Sequence, residues 1–79
     1  MKTMTCRQLG GACEMKFHAN TFEEMAIQSR RHGSEMALKG DQGHIDAMNV
    51  MQGQMHTQQQ MSAWFESKRR EFEMLPEEQ

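Results

Sequence analysis

The sequence predicts an α+β domain in which an N-terminal β-hairpin packs on a first helix and two further helices complete the core. Three observations predict it. Apolar residues alternate on either side of Gly10-Gly11, with Met4 and Cys6 set against Thr3, Thr5 and Arg7, then Cys13, Met15 and Phe17 set against Glu14 and Lys16. Further along, two threonine-initiated stretches repeat apolar residues at three- and four-residue steps, the period of a half-buried helix. Between them, Gly40-Asp41 joins a helix stop to a helix cap. The 79 residues make one domain: a hairpin over residues 1–19, helices over 20–40, 41–56 and 57–75, and a tail over 76–79.

The hairpin's alternation places Cys6 and Cys13 at inward positions of its two strands, with both thiols on one face. In the first helix, Thr21 accepts from the amide three residues on and Glu24 reaches back, a capping box. Phe22, Met25, Ala26, Ser29, Gly33, Met36 and Ala37 then draw one apolar or small stripe. The second helix puts Ile45, Met48, Met51, Gln52 and Met55 on one side, but Gly43 and Gly53 each weaken it by ~1 kcal/mol relative to alanine. It leans on packing and frays toward Gly53. Thr57 and Gln60 repeat the capping box for the third helix, whose stripe is Met61, Trp64, Phe65, Lys68, Phe72 and Leu75. Pro76 ends it, and a disordered Glu77-Glu78-Gln79 follows. The adjacent aromatics Trp64 and Phe65 are expected to be buried, by the hairpin and first helix or by a second chain.

Composition narrows the functional classes. An apolar fraction of 37% with ten methionines gives an adaptable core, and a core of this size supplies only ~3–5 kcal/mol. A metal, a disulfide or a second copy of the chain would relieve that shortage. The formal net charge of −2 supplies no electrostatic basis for a nucleic-acid partner or an anionic membrane surface. No apolar run is long enough for a signal peptide or a membrane span, so the expectation is a cytoplasmic protein, where two cysteines serve as ligands, redox groups or core residues rather than a permanent staple. Signatures of enzymes are also absent: there is no phosphate-cradling glycine loop, nucleophile elbow, His-Glu-x-x-His helix or Cys-x-x-Cys pair.

Cys6, Cys13 and His32 are the candidate metal ligands. Thiolate and imidazole suit zinc or copper(I), and a hairpin can bring two sulfurs to one ion. His32 follows Ser29 by three and Met25 by seven, so it borders the stripe that the first helix must lay on the hairpin. Each has a plain alternative: the cysteines as small buried hydrophobes, the histidine as a core-edge residue. For a fourth ligand the sequence offers His18, at the end of the second strand, or His44, in the first turn of the second helix. Both also read as solvated surface groups, and His56 as a loop residue. The methionines of the second helix raise copper(I) as a competitor, although helical spacing explains them by packing alone.

The run Met4-Thr5-Cys6-Arg7-Gln8-Leu9-Gly10-Gly11-Ala12-Cys13, followed by Asn20-Thr21-Phe22-Glu23-Glu24 at the head of a helix that carries His32, resembles the small bacterial proteins of unknown function described as predicted small metal-binding proteins. The likeness covers the first half of the chain and implies Cys6, Cys13 and His32 as ligands. A second helical histidine, four or five residues after the first in that family, is replaced here by Met36 and Ala37. The leading reading is therefore a small metal-binding protein, with zinc favoured. The alternatives are a metal-free structural or interaction module that forms a homo-oligomer, and a thiol protein that cycles Cys6 and Cys13 between dithiol and disulfide.

Overall fold

A computed structural model describes residues 1–77 of the chain. Two short strands, β1 (Lys2–Thr5) and β2 (Lys16–Ala19), pair antiparallel and are followed by α1 (Phe22–Leu38), α2 (Gln42–Gln54) and α3 (Gln58–Met74). The register sets Met4 opposite Phe17 and Thr3 opposite His18. Side chains alternate across a strand, so Met4 and Phe17 go inward together while Thr3 Oγ1 and His18 Nδ1 meet on the outer face at 2.8 Å. The α+β architecture thus has the order and elements the sequence predicts. No helix among the described residues is long and apolar enough to cross a membrane.

The strands are shorter than the alternation suggests. Pairing ends at Thr5 and Lys16, and a single 3-10 turn over Arg7–Leu9 begins the connection. Cys6 and Cys13 consequently sit on the connection and not on the strands. The bend around Cys13 also breaks the two-residue period, which leaves Met15 exposed while Phe17 is buried.

Helix boundaries follow local chemistry closely. Thr21 and Thr57 cap α1 and α3 by accepting from the amides of Glu24 and Gln60, and the Gln60 side chain returns the bond to complete the box on α3. At the end of α1, Gly40 adopts φ 82°, its amide donates to the Ala37 carbonyl, and the Asp41 amide donates to the Met36 carbonyl. This pair of bonds is a Schellman motif, and its left-handed residue favours glycine. Asp41 then caps α2 without any intervening loop, so α2 turns back immediately against α1.

The core is Met4, Cys6, Leu9, Phe17, Ala19, Phe22, Met25 and Phe72. Phe22 is its aromatic centre, edge-on to Phe65 at 6.1 Å and to Phe72 at 6.0 Å. α3 is fastened through its C-terminal half: Lys2 Nζ donates to the carbonyls of Phe72 and Glu73, and Arg69 pairs with Glu23 at 2.8 Å. A cation on the last carbonyls of a helix also complements its dipole. The Met1 ammonium lies 2.7 Å from Glu77 Oε2, so Glu77 has a partner; Glu78 and Gln79 lie outside the described residues. Toward its N-terminal end α3 is exposed over residues 58–63, Met61 among them, and Trp64 is half-buried, not buried. Truncating Phe72 to alanine should cost ~3–5 kcal/mol in urea unfolding, whereas Leu38→Ala, on a fully solvated side chain, should change stability by less than about 0.5 kcal/mol.

Candidate metal centre

The connection between the strands wraps backbone around one sulfur. The Cys6 amide donates to the Met15 carbonyl at 2.8 Å and the Arg7 amide to the Cys13 carbonyl at 2.9 Å, so the two cysteines face each other across the neck of the loop. The Cys6 carbonyl in turn accepts from the amides of Leu9 and Gly11, which curls residues 6–11 over the thiol. Gly11 passes so close that a Cβ there would overlap Cys6 Sγ. Only glycine fits that approach. Burial pushes the Cys6 thiol up, against the backbone N–H groups of Cys13 and Ala12, which favour the thiolate; the Met15 N–H brings Cys13 down. Both cysteines are free thiols.

Two helices bring imidazoles to these sulfurs. His32, three turns into α1, sits with Nε2 3.2 Å from Cys13 Sγ and packs edge-on to the Phe17 ring. His44, in the first turn of α2, places Nε2 3.6 Å from Cys6 Sγ and is only 3% exposed. The two rings touch edge to face at 5.1 Å between centroids. The four donor atoms of Cys6, Cys13, His32 and His44 all lie within 4.8 Å of one another. A tetrahedral site with bonds of about 2.3 Å to sulfur and about 2.0–2.1 Å to nitrogen has edges of about 3.3–3.8 Å. The Cys6–His44 separation of 3.6 Å falls on that scale, and the Cys13–His32 separation of 3.2 Å lies just short of it. The cluster can hold a metal ion.

Asp41 completes the arrangement from behind. Its Oδ2 accepts from the His44 backbone amide at 3.0 Å, the helix cap, and from His44 Nδ1 at 2.6 Å. The proton on Nδ1 is thereby assigned, and Nε2 presents its lone pair to the sulfurs. The bond raises the His44 pKa and lowers that of Asp41. One carboxylate both starts α2 and orients a candidate donor.

Of the sequence-predicted donors, Cys6, Cys13 and His32 meet as expected. The fourth position falls to His44, which is buried and not a solvated surface group, because the loopless Gly40-Asp41 junction folds the first turn of α2 onto the hairpin connection. His18 lies on the outer face of β2, bonded to Thr3, and His56 is exposed between α2 and α3. Asp41 was legible only as a cap; the signal for its second role is the histidine three residues later, one helical turn along the same face. Comparison with protein-family models, with curated proteins and with solved structures returns no match.

Asp41→Asn separates the two roles of this residue, since asparagine caps a helix as well as aspartate does. The substitution should weaken binding of a divalent transition metal roughly 10–100-fold, measured by competition with a chromophoric chelator, and leave the α2 cap in place, so the helical circular dichroism of the metal-free protein should be unchanged. Unchanged affinity would remove Asp41 from the site.

Proposed function

We propose that this protein binds one zinc ion through Cys6, Cys13, His32 and His44, and that the ion serves as a structural cross-link. The observation that carries the reading is the convergence of two thiols and two imidazoles from the hairpin connection, α1 and α2 on one point. A tetrahedral set of two sulfurs and two nitrogens is the donor chemistry of zinc, and four protein ligands leave no open position for a substrate. The second-shell carboxylate on His44 supports the same assignment, because metal-bound imidazoles commonly donate their other N–H to such a partner. The resemblance of residues 4–13, 20–24 and His32 to bacterial proteins described as predicted small metal-binding proteins is in keeping with it, and His44 would supply the donor that the missing second helical histidine leaves open.

Energetics favour a structural role. Zinc held by such a set contributes on the order of 10 kcal/mol at neutral pH, more than the ~3–5 kcal/mol that a core of this size supplies. The ion ties β1 and β2, α1 and α2 together on the side of the hairpin connection, where few large apolar side chains do so. Copper(I) competes for the sulfurs, but a closed site with two imidazoles suits zinc better.

Mass spectrometry under conditions that preserve bound metal should find one zinc per chain in the native protein, and His32→Ala or His44→Ala should reduce occupancy. A native protein that carries no metal and takes up none from added zinc would overturn the reading in favour of a metal-free module. Protons compete for both thiols and both imidazoles, so the rise in melting temperature on adding zinc should grow between about pH 5.5 and about pH 7.5. In the metal-free protein the Asp41–His44 bond works in the opposite sense. The His44 pKa is raised by Asp41, so the stability that bond contributes is present at low pH and is lost as pH rises through the folded-state value.

A further inference from the structure

α3 is held to the rest of the fold by Phe65 and Phe72 against Phe22, by Lys2 and by the Arg69–Glu23 pair. A cavity of about 310 Å³ lies among the three helices, floored by the turn that begins at Cys6. Small-molecule sites begin at about this size. Its walls are mostly apolar, formed by Met48 and Met51 of α2, by Met55 just after it and by Trp64 and Phe65 of α3. Unbranched thioether chains adapt to ligands of varied shape better than branched side chains do.

Two features of α1 give this cavity a chemistry. Gly33 stands in the middle of the helix wall, where glycine disfavours the helix, yet a Cβ built there meets nothing within 4 Å. Packing does not require this glycine, and its effect is to leave the wall low and the cavity open. One turn before it stands Arg30. Apart from His44, Arg30 is the one ionisable basic side chain of the lining, no acidic residue lines it, and the guanidinium has no hydrogen bond or ion pair among the described residues. An apolar chamber with an unpaired guanidinium at its edge is complementary to a molecule with an apolar body and one anionic end.

We propose that the cavity binds a small amphipathic carboxylate, with its apolar tail against the methionines and Trp64 and its carboxylate on Arg30. Arginine suits this role because its planar fork matches a carboxylate with two parallel bonds. The site is distinct from the four-donor cluster, although Cys6 and His44 contribute to its floor, and it stands whichever ion the cluster holds.

Trp64 is the chain's one tryptophan and reports on the cavity directly. Decanoate, titrated into the metal-loaded chain below its micellar concentration, should produce a saturable blue shift of Trp64 emission. Decanol, with the same tail and no charge, should do so more weakly. Arg30→Gln should weaken decanoate roughly tenfold and leave decanol unchanged, because only the charge-assisted bonds are lost. Gly33→Leu fills open space with a better helix former, so it should melt no lower than the original protein and bind neither probe. Absence of a saturable shift with decanoate overturns the proposal, and so does an Arg30→Gln variant that binds decanoate as tightly as the original. Trp64 emission that shifts with protein concentration alone, with a dimer in sedimentation, gives the cavity to a second copy and also overturns it.

Discussion

Two thiols and two imidazoles within 4.8 Å of one another are the constraint around which the N-terminal two thirds of this chain is arranged. Bringing four such groups together at the edge of a small core costs them water, which the two thiol–imidazole contacts offset and a bound cation would offset further. Three local features serve this convergence: a glycine forced by the Cys6 sulfur, a loopless junction between two helices, and a capping carboxylate that also holds one imidazole.

The apolar core and the donor cluster divide the labour. Phe22, Phe65 and Phe72 join the start of α1 to α3, and Lys2 and Arg69 reinforce that side from the surface. On the other side α2 contributes His44 as its one buried residue. A helix that buries a histidine and little else, and that carries Gly43 and Gly53, has small intrinsic stability. Its position depends on Asp41, His44 and whatever the latter binds. The open space among the helices lies between core and cluster, lined by Leu9, Phe22 and Phe65 on the core side and by Cys6 and His44 on the other.

Much of the fold was legible in the sequence, because its signals are local. Thr21, Thr57 and Asp41 announce helix starts by side-chain hydrogen bonds to nearby amides, and Gly40 announces a stop by its left-handed backbone. Cys6, Cys13 and His32 were legible as a set because the hairpin and α1 are adjacent in sequence and must pack on each other. The burial of His44 was not. On a helical wheel it falls beside polar Asp41 and exposed Met48, and only the angle of the α1–α2 junction, a tertiary quantity, turns that face inward. Trp64 misled for the complementary reason: apolar spacing identifies a face but not how far along a helix the neighbouring elements continue to cover it.

The central claim is a single tetrahedral zinc with two sulfur and two imidazole ligands, and the most direct measurement is X-ray absorption at the zinc edge of the loaded protein. The account predicts a first shell of two sulfurs at about 2.3 Å and two nitrogens at about 2.0–2.1 Å, with the outer-shell scattering of two imidazole rings. A shell of oxygen and nitrogen alone, or six-coordinate zinc with no sulfur, would contradict it.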